Sequence, residues 1–522
     1  VKSIWLDTLR HIETDAFESG GNYDAVVVGA GLTGMATALL LSRAGLNVIV
    51  LEARSIGAVT TGHTTAKLSL LQGTVLSRIR RHFSEDIVRA YVQGNLEGQA
   101  WLLRYLQEQN VAVQRRDAYT YTYSDSERGT LEREAETGRG AGLDITWVEG
   151  EIGLPFPVNA ALQLPDQAQF NPMAVLDAFA TDLRSRGVKI VEGTRVRNID
   201  AGTPVMVGTD KGSIQAQHVI LATGAPILDR GMYFAKLEPS RSYVAAYRVP
   251  GSQGSLPRGM YLSADQPARS LRTAIIGDEE VLLVGGNGHP VGASTSEQTK
   301  VKDLDGWTQH WFPGAESTHR WSAQDYKSAN MVPFVGKLPR GGGNIHVATG
   351  YNKWGMTNAV AAALNLSTDI LGGNIPWAQT LTHRITGPTD LAEGAKFNAG
   401  VAAKMAKGWL GTLFHDEDGP EHRGKESGSP TPVEGEGRIL RHGLHPVAVS
   451  TVDGRTCGVS GVCTHLGGVL SWNDAEKSWD CPLHGSRFSP DGKVLEGPAT
   501  DDLKRADAGD APTSDRPATP AD

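Results

Sequence analysis

The residues best equipped for chemistry in this chain of 522 residues are two Cys–His pairs near its end. Cys463-Thr464-His465 is followed, after fifteen residues, by Cys481-Pro482-Leu483-His484. Thiolate sulfur and imidazole nitrogen are both metal ligands, so C-x-H followed by C-x-x-H marks a metal-binding module. A tetrahedral zinc site usually takes cysteines in one pair and histidines in another, and here the pairs are mixed. Cys457, the remaining cysteine, reads as a buried strand thiol.

A second constellation lies near the start. An apolar strand at residues 25–28 runs into Gly29-Ala30-Gly31-Leu32-Thr33-Gly34, then a helix, then a strand that closes on Glu52. Gly29 permits a tight turn, Gly31 lets a pyrophosphate approach the backbone, and Gly34 lets the helix lie close to the strand. Glu52 is placed to accept a hydrogen bond from a ribose hydroxyl. Residues 25–42 carry no charge, yet glycines at this spacing and an acid closing the next strand explain the stretch better than a membrane span or signal peptide. Downstream, residues 57–67 are small and hydroxyl-rich around His63 and Lys67, suited to a loop pressed against a flat ligand.

These groups need elements to hold them. Residues 76–109 show helical periodicity, and 110–165 read as short strands and loops. Asn171-Pro172 opens a helix that stops at Gly187. A strand, a hairpin turning at 210–212, and the strand 217–224 ending in Ala222-Thr223-Gly224 follow. Residues 236–329 read as an antiparallel, strand-rich insertion. The strand 344–350 then leads through Gly350 and Trp354-Gly355-Met356-Thr357 into a helix, whose N-terminus suits a partial negative charge. Domains are expected at 23–372 and 433–505, with a lead-in at 1–22, a helix (391–410) and linker within 373–432, and a disordered tail at 506–522. A net charge of -8 and pI near 6.0 argue against a nucleic-acid partner. With three cysteines, none before Cys457, a disulfide framework is excluded and a reducing, cytoplasmic setting is expected, with no membrane partner.

The first 372 residues resemble the D-amino-acid-oxidase-like (DAO) flavoproteins, through Gly29–Gly34 with Glu52, then Ala222-Thr223-Gly224, then Gly350 with Trp354–Thr357. The resemblance implies FAD, on an α/β Rossmann-type domain (about 23–77, 165–235 and 330–372) with an antiparallel β-rich substrate domain (about 78–164 and 236–329). It further implies that Leu32, Thr33, Ala53, Arg54, Thr61, Thr64, Thr65 and Val196 lie along the cofactor. The activity implied is oxidation of a C–N bond of an amine or amino-acid-like substrate. His63 and Lys67 fall where sarcosine-oxidase-like members carry a histidine and a basic residue beside the flavin. In dimethylglycine-dehydrogenase-like members such a histidine bonds covalently to the flavin, and acid precipitation that released all colour would exclude this for His63. Arg272, Tyr243 and His289 fall on strands where the family builds its substrate wall.

The Cys–His pairs match the Rieske pattern, in which two cysteines hold one iron of a [2Fe–2S] cluster and two histidines hold the other. An all-β Rieske domain is therefore expected. Respiratory Rieske proteins carry a disulfide at positions matching Gly468 and Leu483, and a tyrosine where Phe488 stands, whereas Ser486 keeps one hydroxyl. Fewer hydrogen bonds to cluster sulfur imply a potential below the respiratory type. Ring-hydroxylating oxygenases need a large iron domain downstream, and 38 residues follow His484. His415, His422, His442 and His445 read as surface histidines. Together the halves resemble bacterial FAD-dependent oxidoreductases with a C-terminal Rieske domain. Electrons would pass from substrate to FAD, singly to the cluster, and on to a ferredoxin or other carrier. The alternatives are a ferredoxin-fed reductive or monooxygenase-like enzyme, and a redox sensor or electron-transfer protein without catalysis.

Overall fold

In the computed structural model the described residues are 2–8, 11–251, 254–294, 296–384, 399–400, 403, 405–406, 409, 431–442 and 445–506. They divide into two compact units, Val1–Pro290 with Thr299–Ala399, and Val291–Gln298 with Gly400–Asp522.

The first unit is built on two large sheets. One runs in the order Phe334–Lys337, Ile345–Thr349, Gly212–Leu221, Asn22–Val28, Val48–Leu51, Lys189–Val191, parallel from Ile345–Thr349 onward. Its central strands are apolar on both faces because both faces are covered. Ala25, Val27, Val48 and Val50 pack with the helices Leu32–Arg43, Pro172–Ser185 and Gly355–Ile370. Val26, Val28, Ile49 and Leu51 pack beneath, with Tyr326 and Leu338. The charge-free stretch at 25–42 is thus a buried strand and helix. Among the described residues no helix is long and apolar enough to cross a membrane. The helix after Asn171 forms as expected, with the Asn171 side chain accepting from the Met173 N–H.

The second sheet has nine strands. Its order is Glu316–Ser328, Leu237–Arg248, Glu279–Pro290, Arg269–Ile276, Met260–Ser263, Val113–Thr122, Ala160–Phe170, Lys67–Leu68, with Thr146–Val148 paired to Ala160–Phe170. Three expectations need correction. The helical stretch at 76–109 is two helices, Val75–His82 and Glu85–Glu108. Phe83 is extended between them, and Ser84 with Glu85 and Asp86 opens the second. Residues 110–165 contain a sixteen-residue helix, Asp125–Gly140, capped by Ser124, which buries a narrow face of Leu131, Glu134, Ala135 and Gly138. The strand-rich insertion also holds the helix Glu297–Trp311.

The second unit carries a three-stranded antiparallel sheet (Gly437–His442, His445–Val452, Arg455–Ser460) and a four-stranded one (Ser471–Asn473, Ser478–Asp480, Arg487–Phe488, Val494–Glu496). Trp479, Phe488, Leu470, Val459 and Leu503 form its core. Arg487 is held there by Glu476, by Asp480 at 3.3 Å and by Glu496 at 3.8 Å. Most of the expected helix at 391–410, the tail from 507, and His415 and His422 lie outside the described residues.

Candidate functional site

The glycine loop and Ala222-Thr223-Gly224 meet at the carboxyl ends of the parallel strands. Gly29 has φ +108°, and a Cβ there would stand 2.5 Å from the Ala222 carbonyl oxygen. A Cβ on Gly34 would overlap the Gly29 carbonyl oxygen, so glycine lets the helix close on the turn. At Gly31 an added Cβ would meet one atom, the Thr61 hydroxyl at 3.3 Å, so this edge of the loop is open to a ligand. Thr61 also accepts from the Leu32 N–H (3.1 Å), and Thr33 shares a hydrogen bond with the hydroxyl of the half-buried Tyr351 (3.0 Å). Glu52 accepts from the N–H groups of Ala30 and Arg54, both at 2.9 Å, and burial pushes its pKa up. A carboxylate has about four acceptor sites, so capacity remains for a hydroxyl. This cradle fits a dinucleotide. Ala53 and Arg54 continue from Glu52 along the same edge, while the Val196 side chain is buried in the core and its strand pairs with Val205–Thr209.

Beside it lies a cavity of about 360 Å³. His63, Thr64, Thr65, Lys67, Tyr243, Trp354 and Met356 line it. Lys67 is buried, its ammonium donating to the Tyr261 carbonyl (2.6 Å) and Ser270 hydroxyl (2.7 Å). Burial, then the charge of Arg272, drives its pKa well down. His63 Nδ1 lies 2.7 Å from the Val59 carbonyl, and its own carbonyl accepts from the Trp321 indole (2.8 Å). Tyr243 stacks on His289 at 5.8 Å.

Arg272, His289 and Thr357 do not line this cavity. The Arg272 guanidinium is 2% exposed and donates to the carbonyls of Thr65 (2.7 Å), Ala66 (3.0 Å), Phe170 (3.3 Å) and Thr273 (3.0 Å). It also lies over the Trp5 ring, whose indole donates to the Thr64 carbonyl. Arg272 therefore pins the 60–67 loop from behind, and burial lowers its pKa to about 9. His289 Nδ1 lies 3.0 Å from the Asn287 carbonyl, one residue past the lining Gly288. Thr357 turns away to Asn95 and Gln72, in a buried network with Tyr91 and Asn358 that anchors the first turn of Gly355–Ile370.

Sequence reasoning missed Ser242, Asp325, Lys327 and Lys353, all on the cavity wall. The Lys353 ammonium donates to the Ser242 hydroxyl at 2.6 Å, and its backbone N–H donates to the Asp325 carboxylate. Burial pushes the Asp325 pKa up. One signal was available: Lys353 sits within the Gly350–Thr357 turn that the sequence singled out.

In the second unit the two loops between strands bring the metal-ligand pairs together. The His465 and His484 rings lie 5.1 Å apart at 90°. Cys463 and Cys481 are buried and hydrogen-bonded to each other, which pushes Cys463 down to about 7 and Cys481 up. Backbone N–H groups of His465 and Leu466 and the Ser486 hydroxyl also favour the Cys463 thiolate. A Cβ on Gly468 would stand 2.7 Å from Leu483 Cδ1 and 3.0 Å from the Cys481 sulfur, so these two positions do face each other. Among the described residues no three His, Cys, Asp or Glu side chains surround one single-ion position. A two-iron cluster, each iron taking one pair, does not require that. The donor set fits such a cluster.

Comparison with known proteins agrees with both cofactors. Residues 24–367 match the family of FAD dependent oxidoreductases (DAO), and residues 430–507 match the Rieske [2Fe-2S] domain. The chain is 30% identical to YhfW of Bacillus subtilis (strain 168), described as a Rieske 2Fe-2S iron-sulfur protein, over 97% of each chain. It is 25% identical to the gamma-glutamylputrescine oxidoreductase of Escherichia coli (strain K12), over 67% of this chain and 83% of that one. A crystal structure of glycine oxidase from Geobacillus kaustophilus superposes with a TM-score of 0.58 at 20% identity, covering 70% of this chain and all of that one, a likeness of fold. The chain is a member of the DAO family of FAD-dependent oxidoreductases and carries a C-terminal Rieske [2Fe–2S] domain.

Proposed function

We propose that the protein oxidises a C–N bond of an amine or amino-acid-like substrate and passes the electrons out through its Rieske cluster. The observation that carries this reading is the Asp325 carboxylate, the one acidic side chain on the wall of a cavity that also presents Lys67, Lys327, Lys353 and Arg78 beside apolar and aromatic side chains such as Leu262, Met331 and Trp354. FAD held by the Gly29–Gly34 loop and Glu52 would supply a hydride acceptor for the carbon beside nitrogen, and a [2Fe–2S] cluster held by Cys463, His465, Cys481 and His484 would supply a one-electron outlet. Asp325 is placed to receive the substrate ammonium and its proton, since its raised pKa brings it nearer to that task. Lys67 and Ser270 present a fixed polar edge on the wall. Arg272 and Trp5 hold the His63–Lys67 loop behind the cavity, and the Gln72–Asn95–Thr357 network holds the helix N-terminus at its end. The product is an imine, which water hydrolyses. The electron acceptor in this reading is a ferredoxin-like one-electron carrier.

Anaerobic addition of amines and amino acids to the purified holoprotein tests the reading. Bleaching of the flavin followed by the EPR signal of a reduced Rieske cluster is expected. Reduction by ferredoxin, with no amine bleaching the flavin, would reverse the direction of electron flow.

A further inference from the structure

The loop that joins the glycine cradle to the cavity turns its carbonyl edge away from that cavity. Five carbonyls in succession accept hydrogen bonds from side chains. Gly62 accepts from Ser3 (2.5 Å), His63 from Trp321 (2.8 Å) and Thr64 from Trp5 (2.8 Å), while Thr65 (2.7 Å) and Ala66 (3.0 Å) accept from Arg272. None of these four donors lines the cavity, whereas His63, Thr64, Thr65 and Lys67 do. An extended backbone would alternate its carbonyls from side to side. The loop departs from that path through the helical turn Thr60–His63 and through Ala66, at φ +52°. A left-handed alanine persists where its surroundings over-determine it, and here one guanidinium holds the carbonyls on both sides of it.

Two of the four donors come from the lead-in. Ser3 and Trp5 are buried, and Ser3 also caps the short helix Ile4–Asp7 by accepting from the Leu6 N–H (3.3 Å). Leu6 packs on the loop at Gly62, where a Cβ would stand 3.0 Å from Leu6 Cδ2 and 2.3 Å from the Gly57 carbonyl oxygen. Asp7 meets His319 at 3.3 Å, on the strand that also carries Trp321.

We propose that Ser3–Asp7 is a working part of the flavin site, with Ser3 and Trp5 as positioning residues that hold the Gly62 and Thr64 carbonyls off the cofactor. The loop then meets a flavin with hydroxyls and the His63 ring, and not with acceptor oxygens. A ring that accepts hydride gains negative charge, which a facing carbonyl oxygen opposes and a donor favours. The lead-in thereby raises the potential of FAD held in the Gly29–Gly34 cradle, whichever substrate reduces it.

The test uses full-length protein at saturating FAD. The bound flavin is titrated without oxygen against dyes of known potential and followed by its own absorbance, with flavin retention on dialysis measured alongside. Ser3→Ala removes one donor. Trp5→Phe removes the other and keeps a ring over the Arg272 guanidinium, which lies 5.4 Å from the Trp5 ring. Thr8→Val is the control, because the Thr8 hydroxyl donates to the Ile4 carbonyl (2.7 Å) inside the same turn. In Ser3→Ala and in Trp5→Phe the reduced flavin should be favoured about tenfold less than in wild type, a fall of about 30 mV for two electrons. Thr8→Val should keep the wild-type potential. An unchanged potential in both donor variants, whether or not FAD is held more loosely, would overturn the proposal, as would an equal fall in Thr8→Val. Since dyes reduce the flavin here, the outcome is separate from whether any amine bleaches it.

Discussion

Gly468 and Leu483 provide a quantitative check on the cluster site. Carbon atoms in contact stand about 3.5–4.0 Å apart, whereas a Cβ on Gly468 would lie 2.7 Å from Leu483 Cδ1 and 3.0 Å from the sulfur of Cys481. Leu483 is 2% exposed and cannot swing into solvent, so Gly468→Ala should cost about 1–3 kcal/mol by overpacking. Leu483→Ala should cost about 2–5 kcal/mol by leaving a cavity. Together the two changes exchange one methyl for the space the other vacates, and the double variant should be less destabilised than the sum by about 1 kcal/mol or more. The assay is thermal or denaturant loss of the cluster's visible circular dichroism, with iron and acid-labile sulfide measured on each variant. Gly468→Ala alone should lose cluster while retaining FAD. Strict additivity, or a full and unperturbed cluster in Gly468→Ala, would refute the packing of these two loops.

Other consequences follow from single residues. His346 is buried on the strand Ile345–Thr349, with its ring 5.5 Å from that of His218 and 3.6 Å from Asp369, and burial lowers its pKa to about 4. Because the unfolded chain protonates first, its contribution is complete above about pH 6.5 and is lost as pH falls toward 4, roughly 3 kcal/mol in all. His346→Leu should remove that part of the acid sensitivity, read as flavin release against pH in urea, and an unchanged pH dependence would exclude His346 as its source. Gly34→Ala should weaken FAD binding about 5- to 150-fold, from an overpacking cost of about 1–3 kcal/mol, as measured by flavin retention on dialysis. Ser486→Ala removes the hydroxyl beside Cys463 and should lower the cluster potential by roughly 50 mV, about 1 kcal/mol for one electron. With Phe488 supplying no hydroxyl, a wild-type titration giving a value near the top of the Rieske range would contradict the account.

What was legible in the sequence was local. Gly29 and Gly34 declare their turn because backbone contact with Ala222 and Gly29 admits no other residue, Gly31 marks its open edge, and the Cys–His pairs declare theirs because cluster ligands leave little choice of side chain. The helix Asp125–Gly140 escaped because its buried face is short and includes Glu134, a carboxylate that caps Leu76 and Ser77 of another helix. Arg272 was misplaced for a related reason. A buried arginine that satisfies itself on four carbonyls and an indole leaves the same mark in sequence as one awaiting a ligand. Ser242 and Asp325 were invisible because only strand pairing brings them together, and Lys353, although inside the turn that the sequence singled out, meets Ser242 across 111 residues that no local pattern connects.

The central claim is that one polypeptide carries a flavin and an iron–sulfur cluster that exchange electrons. Anaerobic photoreduction of the flavin in dilute holoprotein, followed by rapid freezing and EPR, measures this directly. The reduced-cluster signal should grow at a rate independent of protein concentration, with a full reduction taking three electrons per chain, two for FAD and one for the cluster. A rate that scales with concentration, or a reduced flavin with no cluster signal at all, would contradict it.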